Sequence, residues 1–176
     1  GVAITAFDSS AFDNLRSIAI QGDGKIVAVG SRGGSAALAR YNADGTPDQN
    51  FGSGGKMVVP IGSSSFAYSV AIQPDGKIVV GGTGTGASDL DFFVLRLNAD
   101  STADATFGSN GLVITRLFEA PGDDEVRQIL IQPDGKILAI GSAYLTNVRF
   151  AAVRYNPNGT LDQTFAGAGR LSIDMG

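Results

Sequence analysis

Arg40, Arg96 and Arg154 stand at one repeated position of this 176-residue chain, and each is followed eight residues later by Asp48, Asp104 or Asp162. A guanidinium presents a planar fork of donors that matches a carboxylate, so this spacing has the chemistry of an ion pair. The alternative is a ring of arginines that binds an anion. Recurrence in every copy at a fixed distance is the behaviour of a scaffold element, so buried structural pairs are expected. The oxygen-rich segment at residues 42–48 has the composition of a calcium loop. Laid on an EF-hand loop with Gly45 at the bend, the first and last ligand positions fall on Arg40 and Phe51, which cannot ligate. The equivalent segments fail in the same way, at Arg96 and Phe107 and at Arg154 and Phe165. Side chains that satisfy their own turns explain these segments better.

Glu119, Asp123, Asp124 and Glu125 form the densest run of charge. Paired carboxylates can transfer protons or hold a metal. No partner base or nucleophile stands near them in sequence, so a solvated acidic loop is expected. Gly82, Gly84 and Gly86 resemble a glycine loop, but no Lys follows at phosphate-binding spacing. Asn158-Gly159-Thr160 fits a glycosylation sequon, within a turn that every repeat shares. The chain has no His, Cys or Trp, which removes the commonest general base, thiolate chemistry and indole stacking. The expectation is a protein that is not an enzyme, with no catalytic residue, no metal ligand and no cofactor.

The elements that carry these residues are repeated. Ile20-Gln21-Gly22-Asp23-Gly24-Lys25-Ile26 returns at residues 72–78 and 131–137, with Pro in place of Gly22. The stretch from each Arg to Gly55, Gly111 or Gly169 contains no gap. Length varies in two other places, around residues 31–35, 83–91 and 142–148, and around 62–65 and 117–124. Such loops tolerate insertion and often carry function on a rigid scaffold. Arg32, Asp89, Asp91, Glu119, Asp123, Asp124 and Tyr144 lie there and are the candidate binding-loop residues.

The organisation expected is a single domain: a surplus terminal strand over residues 1–10, then repeats at 11–65, 66–124 and 125–176. The start matches the last strand of a repeat, as does the C-terminus, and the chain begins at Gly1. It reads as a processed product or a segment of a longer array. A hydrophobic fraction of 43% at this length supports a packed core. The net charge of −4, without a basic stripe, argues against a nucleic-acid partner. No apolar run approaches the length of a membrane span.

Each repeat reads as four short strands. The first covers residues 16–21, 68–73 or 127–132, and an Asp-Gly turn of two residues follows it. The second, at 26–29, 78–80 or 137–140, is apolar without alternation, so both faces are expected to be buried. Repeated units of this kind suit a β-propeller. Ile-Gln-Pro-Asp-Gly-Lys-Ile-Val-Val-Gly-Gly, Phe-Val-Leu-Arg-Leu-Asn-Ala-Asp and Thr-Phe-Gly-Ser-Asn-Gly together resemble the delta-60 repeat of bacterial proteins. The resemblance implies a propeller-like fold, no assigned activity and an extracellular or cell-surface setting in bacteria. The hairpin also resembles the opening of NHL-type blades, which mostly bind partners.

Three blades do not close a ring. Further copies completing a ring or fibre, neighbouring repeats of a longer array, or self-closure as a β-trefoil each resolve this. The leading functional expectation is a structural module that self-associates through its repeat ends. The alternative is a binding module for protein or glycan that uses the variable loops of one face.

Overall fold

The computed structural model describes residues 7, 12–86, 89–118, 122–144 and 147–174. Among the described residues, twelve strands form three four-stranded antiparallel sheets, each a meander in chain order. The first sheet contains β1 (Asp13–Ile20), β2 (Ile26–Arg32), β3 (Ser35–Tyr41) and β4 (Lys56–Val59). The second contains β5 (Ser65–Ile72), β6 (Ile78–Thr85), β7 (Leu90–Leu97) and β8 (Leu112–Thr115). The third contains β9 (Glu125–Ile131), β10 (Ile137–Tyr144), β11 (Val148–Tyr155) and β12 (Arg170–Ile173). β5 begins at Ser65, one residue before the expected repeat boundary. Most of the surplus strand expected over 1–10 lies outside the described residues, as does Glu119.

The sheets pack face to face, and their first strands lie beside one another, β1 on β5 and β5 on β9. They are blades of a partial propeller with β1, β5 and β9 innermost. The β-trefoil alternative does not hold, because a trefoil joins strands of all three repeats in one barrel and these sheets share no strand. Alternation on the middle blade builds two cores. Val80, Phe93 and Leu95 point to the first blade and pack with Val27, Leu38 and Phe51. Val79, Phe92 and Val94 point the other way and pack with Val126, Ile129 and Val153.

Two sequence expectations are corrected. The Asp-Gly hairpin is not a two-residue turn that needs positive φ at both centres. Gly24 N–H donates to Gln21 O at 2.9 Å and Gln21 N–H to Lys25 O at 2.8 Å, and Gly24 rather than Asp23 has positive φ. This is a type I turn followed by a glycine bulge. The physical reason is visible in the other two copies: Pro74 and Pro133 hold φ negative at the second turn position. The second strands also run further than expected, to Arg32, Thr85 and Tyr144, so the loops after them are shorter. Gly30, Gly82 and Gly141 lie inside these longer strands, at places where another backbone comes close. A Cβ on them would overlap the carbonyl oxygens of Asn14, Phe66 and Glu125 respectively. Each faces a β-bulge in the first strand of its blade, at Arg16, Tyr68 or Arg127.

Candidate functional site

At one end of each blade a guanidinium is clamped by an aspartate and a phenylalanine, and in the first two blades also from a third side. Nε of Arg40, Arg96 and Arg154 donates to Oδ2 of Asp48, Asp104 and Asp162 at 2.8, 2.8 and 2.7 Å. Phe51, Phe107 and Phe165 lie under the cations, 4.6, 4.6 and 4.8 Å from ring centre to Cζ. Asp48 N–H and Asp104 N–H return to the carbonyls of Arg40 and Arg96 at 2.9 and 3.1 Å, which fixes the eight-residue spacing. Burial raises the Asp104 pKa, but Thr106 and the charge of Arg96 outweigh it and hold the carboxyl below its usual range. Asp162 is held low by the Thr164 hydroxyl, against burial, with Lys136 and Arg154 adding to the effect.

The third side of the clamp comes from the next blade. Nη1 of Arg40 donates to Ala99 O, and Nη1 of Arg96 to Pro157 O at 2.6 Å. Among the described residues, no carbonyl of a following blade meets Nη1 of Arg154. Its side chain is 22% exposed, against 5% and 6% for the other two.

The outer faces of the end blades repeat this asymmetry in apolar residues. Ala67 and Val126 are buried at a position where the first blade carries Leu15, 63% exposed. Val70 and Ile129 are buried where it carries Ile18, 59% exposed. On the third blade, Phe150 is 60% exposed where Ala36 and Phe92 are buried. Grooves lie over both faces, one lined by Leu15, Ile18, Ile26 and Ala28, the other by Ile140, Val148 and Phe150.

The model of a family described as a domain of unknown function (DUF5122), beta-propeller, matches residues 21–51, 73–107 and 132–165, more than half of the chain. The chain belongs to the DUF5122 β-propeller family. No curated protein matches it. Each matched segment of the DUF5122 repeat opens on the glutamine of the bulged turn and closes on the phenylalanine beneath the arginine. The family description assigns a fold without an activity.

The opposite end of the DUF5122 blades carries both variable loops, which meet there. Ser64 N–H donates to Thr85 Oγ1 at 3.0 Å, and Gly122 N–H to Asp89 Oδ2 at 2.9 Å. Most candidate loop residues gather at the seam of blades two and three. Asp89 contacts Arg116 at 3.3 Å, and Asp123 Oδ1 accepts from Leu90 N–H at 3.1 Å. Asp91 and Asp124 are buried beside them, each with one carboxylate oxygen, Oδ1, that has no hydrogen-bond partner among the described residues. Burial raises Asp124 to about 6, opposed by the Leu117 N–H and reinforced by Asp91 and Asp89. Burial also raises Asp91, with Asp89 adding to it and Arg116 opposing. Among the described residues, no group of three or more acidic residues is arranged to hold a metal. Tyr144 ends β10, half exposed, and its carbonyl adjoins Gly122. Arg32 ends β2 on the first blade.

Sequence reasoning missed the cluster on the innermost strands. The bulge residues stack along the first strands, with Arg16 and Arg127 5.5 and 5.6 Å from the centre of the Tyr68 ring. Glu125 pairs with Arg127 at 2.6 Å. Burial and the neighbouring Glu125 push the Tyr68 hydroxyl up to about 12. The available signal was positional: each bulge residue stands seven before the aspartate of its turn.

Proposed function

We propose that the chain is a non-enzymatic structural module that assembles end to end, with the third blade of one copy against the first blade of another. One observation carries the reading. Leu15, Ile18 and Phe150 are exposed at positions whose equivalents are buried between blades inside the chain. Contiguous apolar faces of this kind mark interaction surfaces on soluble proteins. A head-to-tail contact closes into a ring if its rotation closes and otherwise extends as a filament. Three blades in one copy make six in two, and propellers hold about four to eight.

The setting proposed is extracellular or at the bacterial cell surface, on the strength of the delta-60 resemblance alone. Sedimentation velocity at micromolar concentration tests the assembly. Dimers or larger species are expected, lost on Phe150→Glu or Ile18→Glu. A stable monomer overturns the reading.

A second reading follows from the meeting of both variable loops at one end, beside Oδ1 of Asp91 and of Asp124, buried and without a hydrogen-bond partner among the described residues. It makes that end a binding surface for protein or glycan. Retention of a glycan or protein ligand by the monomer, lost on Asp89→Ala, is the outcome it expects.

A further inference from the structure

We propose that Arg154 forms the polar latch of the end-to-end joint, donating from Nη1 to the main-chain carbonyl of Ala43 in a second copy. The proposal rests on the assembly reading above and specifies which groups meet.

The chain makes this contact twice internally. Arg40 Nη1 reaches Ala99 O in the second blade, and Arg96 Nη1 reaches Pro157 O in the third. Ala99 stands three residues after Arg96, and Pro157 three after Arg154. The residue three after Arg40 is Ala43. Each blade therefore carries a donor for the blade that follows and an acceptor for the blade that precedes. Among the described residues, the third donor and the first acceptor do not meet an equivalent partner.

Both are held ready. Nε of Arg154 is bound to Asp162, and its guanidinium lies on Phe165, in the geometry of its two equivalents. Ala43 O belongs to a turn closed by Thr46 N–H on Asp44 Oδ1 at 2.9 Å. The same closure holds the two acceptors in use, at 3.0 Å on Asp100 and 3.1 Å on Asn158. A second internal contact runs beside each latch. Gly52 N–H donates to Ser101 Oγ at 3.1 Å, and Gly108 N–H to Asn158 O at 2.9 Å. The residue equivalent to Gly52 and Gly108 on the third blade is Ala166, which the Gly108 contact sets against Asp44 of the second copy and the Gly52 contact against the adjoining Gly45.

The occupant is a second copy because donor and acceptor are the two halves of one repeated contact. The joint is also directional. The third blade can latch a first blade, but two third blades bring two donors together.

The absence of Cys supports a clean test. Ala166→Cys and Asp44→Cys chains, each with one thiol, are mixed and oxidised. A disulfide between the two variants is expected, because the equivalent Gly108–Asn158 pair is joined by a backbone hydrogen bond of 2.9 Å, which places the Cα atoms within bridging range. Arg154→Lys, which keeps the charge and the Asp162 pair, should weaken the wild-type assembly about tenfold, since a charge-assisted bond is lost. Its far-ultraviolet circular dichroism should be unchanged. If the wild-type chain is monomeric, the assembly reading falls and the latch with it. If it assembles but the mixed disulfide does not form and Arg154→Lys dissociates like wild type, the assembly reading stands and the latch is rejected.

Discussion

Nη1 of Arg96 donates to the carbonyl of Pro157 at 2.6 Å, across a separation of 61 residues and from one sheet to the next. The same guanidinium pairs with Asp104 in its own sheet. One side chain thus ties local strand geometry to the packing between blades.

Asp104→Ala should therefore be among the most damaging single changes, costing about 3–5 kcal/mol because it strands a buried cation. Asp162→Ala should cost less, since Arg154 is partly exposed and water can take over its bonds. Urea denaturation of both variants checks the order. Equal midpoints would contradict it.

Stability should rise as pH falls from about 7 toward 4. Asp124 has a folded pKa raised from 3.8 to about 6, so the folded state holds a proton that the unfolded chain releases in that interval. Asp91 is shifted the same way. Below that window the sign reverses, because Asp48, Asp104 and Asp162 are held low and their contribution is lost as they protonate. Asp124→Asn should flatten the upper limb and raise the melting temperature at pH 7. Thermal melts across pH 3–8 would show an unchanged upper limb if this assignment is wrong.

Ala166 has φ +50°, where the equivalent residues are Gly52 at +55° and Gly108 at +54°. A left-handed backbone costs an L-residue about 1–2 kcal/mol, offset in part by the greater freedom of glycine when unfolded. Ala166→Gly should stabilise the fold by about 1 kcal/mol in chemical denaturation. Destabilisation would show that the methyl group makes a contact worth more than the strain.

Gly82→Ala should destabilise by about 3 kcal/mol, since the added carbon runs into the Phe66 carbonyl and the Phe93 ring in a packed core. Gly22→Ala, where a Cβ meets nothing within 4 Å, is the matched control and should be close to neutral. Comparable losses in the two melts would remove the close-approach argument.

The three-sheet architecture is legible in the sequence because the turn motif and the gap-free blocks recur and mark the blades. The turn type is less so: Asp-Gly signals a hairpin, but the turn begins one residue earlier, where Pro74 and Pro133 exclude positive φ and Gly22 adopts the same form. Gly30, Gly82 and Gly141 are ambiguous in the sequence for a related reason. A glycine inside a strand can mark its end or the approach of another chain segment, and only the bulge opposite distinguishes these. The eight-residue spacing of Arg and Asp records a contact within one sheet. It carries nothing of the second donor, whose acceptor lies 59 or 61 residues away. Tyr68 escapes notice because its stacking partners are arginines in two other blades.

Because each repeat encodes a donor toward one neighbour and an acceptor toward the other, a duplicated blade arrives with its seams already compatible. Gene duplication can then lengthen or shorten such an array without inventing a new contact. Selection is left to act on the loops at the other end, where blades already differ in length. The arginine thus serves as a connector standard, and the variable ends are the parts free to diverge.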